Sequence, residues 1–210
     1  MEKAQFITLE GVEGVGKTTN LNLIADFLRK AGKSVVTTRE PGGTFIAEKI
    51  RALLLDHDNE PLTTETELLL MFSARSQHIE QVINPALKSG KWVVCDRFTD
   101  ATYAYQGGGR NFSFDHIAWL EKFVQKGLSP DLTILLDLPV SVGLKRAANR
   151  SQPDRFESEE QAFFDKVRNV YLKRAEIENE RFCLIDASKE LQQVQHQIIT
   201  SLEERLNLTN

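Results

Sequence analysis

The run Gly11-Val12-Glu13-Gly14-Val15-Gly16-Lys17-Thr18 fits the pattern G-x-x-x-x-G-K-[ST]. The chemistry this pattern supports is the grip of a polyphosphate. Glycines let successive backbone N–H groups turn inward around phosphate oxygens. A helix that starts at the end of the run adds its partial positive charge. Lys17 is spaced to reach β- and γ-phosphates, and the Thr18 hydroxyl to ligate magnesium, with Thr19 following it on the helix. The pattern carries this meaning only between a strand and a helix. Both are present: the apolar run Phe6–Leu9 leads in, and Leu21, Ile24, Ala25 and Leu28 follow at helical spacing.

A second cluster, Asp96-Arg97-Phe98, ends another apolar run, Trp92–Cys95. An aspartate there can serve magnesium, and an arginine beside it can hold a second phosphate. The guanine-reading pattern N-K-x-D is missing from the chain. Arginine directly after the aspartate suggests an acceptor phosphate rather than a nucleotide switch.

These residues need a scaffold. Five short runs rich in β-formers recur along the chain: Phe6–Leu9, Ser34–Thr38, Trp92–Cys95, Leu132–Leu136 and Phe182–Ile185. Longer helical segments separate them. Continuous apolar strands alternating with helices predict an α/β fold, a five-stranded parallel sheet flanked by helices. Thr64 with Glu67, and Ser158 with Gln161, fit capping boxes. Pro85 inside the stretch Glu65–Lys88 predicts a kink or a break into two helices. Residues Arg150 to Glu157 read as an exposed loop.

With 210 residues the chain suits one compact domain. A net charge of −4 supplies no global basic field for a nucleic acid, so anionic substrates must be met by local arginines. No apolar run is long enough to span a bilayer, and Met1 to Glu10 lacks the layout of a secretory signal. Cys95 and Cys183 sit in apolar runs and read as buried, reduced thiols, which suits the cytoplasm. The four histidines are scattered without metal spacing and read as surface or packing residues, with His78, one turn from Arg75, also able to line a pocket mouth.

Taken together, the motifs resemble the thymidylate kinase family. The resemblance rests on Thr8-Leu9-Glu10-Gly11-Val12-Glu13-Gly14, Arg39-Glu40-Pro41-Gly42-Gly43-Thr44, Asp96-Arg97-Phe98, Ala104-Tyr105-Gln106-Gly107-Gly108-Gly109-Arg110, Pro130-Asp131-Leu132-Thr133 and Asp154-Arg155-Phe156, in the family's order over nearly the whole chain. It implies a magnesium-dependent phosphoryl transfer from ATP to thymidine 5′-monophosphate (dTMP), a cytoplasmic enzyme and a homodimer. It implies Glu13 near the sugar 3′-hydroxyl and the transferring phosphate, and Arg51 and Arg97 as acceptor-phosphate clamps assisted by Arg39, with Pro41 beside them. Arg75 resembles the arginine that reads thymine, Thr102 and Gln106 fall where the family contacts the base, and Tyr105 resembles the tyrosine packed under the deoxyribose. The family often places an aromatic four residues before the base-reading arginine. Here that position is Met71, and Phe72 comes one residue later as the candidate for stacking on the base.

Apart from Lys17 the phosphate loop contains no basic residue, so transition-state charge needs another donor. Arg146, Arg150 and Arg155 can supply it from a lid segment at about 146–158, as in the bacterial subclass of the family. Arg146 and Arg150 share a helix face. Arg146 can instead lie against adenine. Two other readings stay open: a kinase of another nucleotide or nucleoside, and a nucleotide-binding ATPase without an acceptor.

Overall fold

Alternation of apolar side chains between two sides of each strand builds the centre of the molecule. In the computed structural model, which describes residues 3–56, 60–148 and 154–208, the strands are β1 (Phe6–Glu10), β2 (Val35–Arg39), β3 (Trp92–Asp96), β4 (Leu132–Asp137) and β5 (Phe182–Asp186). They form one parallel sheet in the order β2-β3-β1-β4-β5, with β1 between β3 and β4. Ile7, Leu9 and Val94 enter one core cluster, while Phe6, Val93 and Cys95 enter another. Neighbouring residues of one strand point to opposite faces, so both faces are covered, as a parallel sheet requires.

Every strand runs one residue beyond the apolar run that marks it in the sequence, and β2 begins at Val35 rather than Ser34. The added residues are Glu10, Arg39, Asp96, Asp137 and Asp186. All are ionisable, so an apolar criterion stops before them. They still pair in the ladder, Arg39 with Asp96 and Asp137 with Asp186. The carboxyl edge of the sheet is therefore a row of ionisable side chains, where open α/β sheets bind ligands.

Nine helices complete the described chain: α1 (Lys17–Lys30), α2 (Phe45–Leu55), α3 (Thr64–His78), α4 (Asn84–Lys88), α5 (Thr99–Thr102), α6 (Phe114–Gln125), α7 (Val140–Ala148), α8 (Gln161–Ile177) and α9 (Leu191–Leu206). Between α3 and α4, Ile79–Ile83 widens into a π-helical turn. Pro85 has no N–H to return, and the wider turn absorbs the missing bond without breaking the rod. A second π-helical segment, Tyr103–Gly109, extends α5 and packs on α8.

Both capping boxes are corrected. Thr63, not Thr64, caps α3, accepting from the Thr66 N–H at 3.2 Å, and Glu67 is freed to point inward. At α8 the capping position is Glu160 and makes no side-chain bond, while the Ser158 hydroxyl donates to the Asp154 carbonyl. Of the loop expected to be exposed, residues 150–153 lie outside the described residues; Asp154, Arg155 and Glu157 are half-buried, and Phe156 is buried edge-on against Tyr105. Cys95 and Cys183 are buried and unpaired. No helix among the described residues is long and apolar enough to cross a membrane.

Candidate active site

The phosphate loop joins β1 to α1. Val12 and Val15 bury their side chains in the core, which leaves the backbone of the loop turned toward the cavity above it. Gly14 has φ 73°, and a Cβ there would collide with the carbonyl of Gly143 on α7. The Lys17 ammonium donates to the carbonyls of Gly11 (3.1 Å) and Val12 (2.9 Å), with Glu13 Oε2 at 3.9 Å. Burial and the neighbouring Arg97 charge lower the Lys17 pKa, and an anion at the cavity would oppose both effects.

Arg97 follows β3 with φ 67°, a left-handed backbone unusual for a side chain of this size. That turn aims its guanidinium back at the phosphate loop. It donates to Glu13 Oε1 and to the Tyr105 hydroxyl (2.8 Å), and Tyr105 itself donates to Glu13 at 2.9 Å. Burial opposes ionisation of Glu13, but the charges of Arg97 and Lys17 outweigh it and hold the carboxyl at about 2. Glu13 is thus a fixed anion, unsuited to act as a base at neutral pH.

Two cavities adjoin along these residues. The larger, about 980 Å³, is lined by Gly14, Gly16, Lys17, Thr18, Arg39, Asp96 and Glu157. The smaller, about 550 Å³, is lined by Pro41, Leu55, Met71, Arg75, Phe98, Ala101, Thr102, Tyr105, Gln106 and Phe156. Glu13, Glu40, Arg51, Arg97 and Asp154 belong to both walls. One polar chamber suited to phosphates therefore opens directly into one with an apolar body and a few polar groups.

In the smaller cavity Arg75 is 2% exposed. Its Nε donates to Glu40 Oε2 (2.7 Å), and its Nη2 donates to the Phe98 carbonyl (3.1 Å) and to Thr102 Oγ1 (2.9 Å). Its Nη1 is buried without a partner. Arg75 lines the cavity, and a buried charged donor left unpaired beside it is a group that an acceptor atom of a ligand would satisfy. In the larger cavity Asp96 Oδ1 is likewise buried without a partner.

Residues 9–198 match the sequence model of the family described as thymidylate kinase. A thymidylate kinase from Pseudomonas putida (strain W619) is 60% identical over 193 residues, covering 92% of this chain and 93% of the relative. The chain belongs to the thymidylate kinase family. A second thymidylate kinase, from Pseudomonas syringae pv. tomato, is 57% identical over 203 residues, 97% of each chain. The crystal structure of thymidylate kinase from Ehrlichia chaffeensis superposes with a TM-score of 0.79 at 31% identity, covering 96% of this chain and 99% of that one.

Against the thymidylate kinase reading of the sequence, most named residues converge. Gly11 to Thr18, Arg39, Pro41, Arg51, Asp96, Arg97, Thr102, Tyr105 and Gln106 lie in the loop or on the cavity walls. Thr19 is exposed beside Thr18 on α1. Arg51 Nη1 donates to the Pro41 carbonyl at 3.0 Å, and Arg39 pairs with Glu48 at 2.9 Å.

Two placements differ from expectation. Phe72 is not on the cavity wall; it is buried with Leu68, Tyr103 and Ile117, and Met71 lines the cavity instead. Phe72 backs Arg75 from behind, its ring centroid 4.8 Å from the guanidinium carbon. Arg155 does not reach the phosphate cavity: its Nε donates to the Leu54 carbonyl and its Nη2 to Glu67 Oε2, both at 2.7 Å. Arg146 is exposed on α7 and donates to the Ala187 carbonyl just past β5 at 3.0 Å. Arg150 lies outside the described residues.

Sequence reasoning missed the parts played by Glu40, Glu67 and Gly143, and placed His78 no nearer than a pocket mouth. Glu67 is buried and accepts from Gln106, Arg110 and Arg155. Gly143 lets α7 touch the phosphate loop, because a Cβ there would strike the Glu13 carbonyl. His78 is a wholly buried residue, bonded to Glu40 and Thr38. Its spacing of three from Arg75 was the one available signal.

Proposed function

We propose that the two cavities are the donor and acceptor sites of one in-line transfer, from ATP to dTMP. As a thymidylate kinase the chain phosphorylates dTMP at the expense of ATP. The observation that carries the assignment of sites is the unpartnered Nη1 of Arg75, a donor on a residue that lines the smaller cavity, matched to a carbonyl oxygen of the base.

Backbone N–H groups of the phosphate loop and Lys17 hold the β- and γ-phosphates of the donor. Arg51 and Arg97, on both walls, hold the acceptor phosphate, with Arg39 at the rim of the donor side. Positive charge from Lys17 and Arg97 then lies where the three phosphoryl oxygens gather charge in transfer. Arg150 supplies a further donor from the segment 146–158, and Arg146 holds the adenine. Through Asp154, Phe156 and Glu157 the described part of that segment forms part of the cavity walls, which fits a lid. The acceptor phosphate is already anionic, so no general base is needed. Glu13 orients the sugar and fixes Arg97, and Tyr105 packs under the sugar.

The donor set fits magnesium. Thr18 and Asp96 line one cavity, and Asp96 carries a buried oxygen with no protein partner. Among the described residues no cluster of three or more His, Cys, Asp or Glu could hold a metal unaided. Magnesium suits such a site, because it takes one or two protein oxygens together with phosphates and water. When bound it supplies charge neutralisation across the β- and γ-phosphates.

The enzyme is proposed to act in the cytoplasm as a homodimer. Phe45, Ile46 and Leu53 of α2, Leu69 of α3, and Trp119 and Phe123 of α6 expose large apolar side chains on neighbouring helices. Trp119 and Phe123 stack at 5.4 Å one turn apart, a firm ridge for a second copy. Sedimentation of the wild type against Trp119→Glu reads this directly.

The functional test is ADP release from ATP with dTMP present and absent. Release that depends on dTMP is expected. Equal release without an acceptor would make the chain an ATPase.

A further inference from the structure

We propose that His78 is a positioning residue for base selection: it locks Glu40, which in turn sets the angle at which Arg75 presents Nη1 to the acceptor base. The inference rests on the reading of Arg75 given above and deepens it.

His78 is 0% exposed and Glu40 5%. The two oxygens of Glu40 are divided: Oε2 accepts from Arg75 Nε at 2.7 Å, and Oε1 meets His78 Nδ1 at 2.9 Å. On the far side of the ring, Nε2 lies 2.6 Å from Thr38 Oγ1. In the neutral ring Nδ1–H donates to the carboxylate, and Nε2 accepts from the threonine hydroxyl. A line of bonds therefore runs from β2 through the ring and the carboxylate to the guanidinium. Gly43 tightens it: a Cβ there would lie 2.6 Å from the His78 ring and 2.7 Å from Thr38 Oγ1, so the turn after Glu40 rests on the ring.

The consequence is chemical. Arg75 Nη1 can only donate. It favours a base with a carbonyl oxygen at the contact and opposes one with an amino group there, whose hydrogens would leave both donors unpaired. Thymine and uracil carry the carbonyl at C4; cytosine carries the amino group. If the carboxylate rotates, the guanidinium loses its fixed angle and that distinction weakens. The methyl group that separates thymine from uracil is read by the apolar wall, which His78 does not touch.

The test measures kcat/KM for the 5′-monophosphates of thymidine, deoxyuridine and deoxycytidine. The variants are Arg75→Ala, His78→Asn, His78→Gln and His78→Leu, each checked for folding by thermal unfolding. Asn keeps a donor where Nδ1 was, whereas Gln reaches only toward Thr38. In His78→Leu and His78→Gln the preference for thymidine over deoxycytidine monophosphate should fall by about tenfold or more, with the thymidine-to-deoxyuridine ratio within about threefold of wild type. His78→Asn should keep both ratios. If His78→Leu does not fold, His78→Gln decides. A uniform loss across the three nucleotides, or a His78→Asn as impaired as His78→Gln, would overturn the proposal while Arg75→Ala still abolished selection. An Arg75→Ala that selects as wild type does would remove the reading beneath it.

Discussion

The guanidinium of Arg97 donates to the carboxylate of Glu13 at the seam where the two cavities meet. The bond ties the residue after β3 to the middle of the phosphate loop, so donor and acceptor ends share one rigid joint. The Arg97 Nε is buried without a partner, and its Nη2 is shared between Glu13 and Tyr105. Arg97→Lys keeps the charge but not the planar fork. It should lower kcat/KM for dTMP by about tenfold or more in steady-state assays, because an ammonium offers all its N–H groups from one nitrogen, whereas the guanidinium holds Glu13 and Tyr105 through Nη2 alone and keeps its other N–H groups for a phosphate. An unchanged value would reduce Arg97 to a point charge.

Lys17 is held on two loop carbonyls, within the cavity lined by Thr18 and Asp96. Lys17→Ala should cost about a hundredfold or more in turnover, roughly 3 kcal/mol. Turnover near the wild-type level would place the donor phosphates elsewhere.

Glu10 lies under the loop, wholly buried, accepting from the Phe98 N–H (2.7 Å) and the Tyr171 hydroxyl (2.7 Å). Burial, with the nearby Asp100 carboxylate, pushes its pKa from 4.5 up to about 8, against the pull of those hydrogen bonds and Arg97. The folded value is the higher one. Its contribution is therefore complete below pH 4.5 and drains away as pH rises toward 8. Within that window the slope is on the order of 1 kcal/mol per pH unit. Denaturant unfolding of Glu10→Gln across the window should lack this slope. An identical slope in the variant would assign it to another group.

Gly143 and Gly14 bring α7 and the phosphate loop into backbone contact. Gly143→Ala should displace the Glu13 carbonyl, raise KM for ATP and lower stability by about 1–3 kcal/mol. Ser141→Ala, on the exposed side of the same helix, serves as control. Equal behaviour of the two would mean the contact has room to spare.

Arg155 pairs with the buried Glu67 and the end of α2 rather than with phosphates. Arg155→Ala should lower the unfolding midpoint, by roughly 1–3 kcal/mol in stability, with a smaller change in kcat. A large fall in kcat at unchanged stability would return Arg155 to the reaction.

What the sequence made legible follows from what leaves a periodic or fixed-spacing trace. The phosphate loop did, because its glycines and Lys17 work through spacing along one chain. The five strands did, because β1, β3 and β4 are buried almost throughout and read as unbroken apolar runs. Their ionisable last residues did not, since polarity there belongs to the site and not to the core. The exchange of Phe72 for Met71 turns on which neighbour of one helix faces the cavity. That depends on how α3 packs on α6, a relation between distant segments. From the sequence Glu67 reads as a capping residue because a local partner, Thr64, is visible. Its real partners, Gln106, Arg110 and Arg155, lie between 39 and 88 residues away. His78 and Glu40 were hidden for the same reason, 38 residues apart in sequence and bonded in space.

The most direct measurement is a crystal structure of the chain with adenosine and thymidine joined through a run of phosphates. The phosphates should lie within hydrogen-bond reach of the loop N–H groups and Lys17, with a base carbonyl oxygen at Arg75 Nη1. Phosphates held away from the loop, or a thymine that turns no acceptor toward Arg75, would contradict the assignment of both cavities.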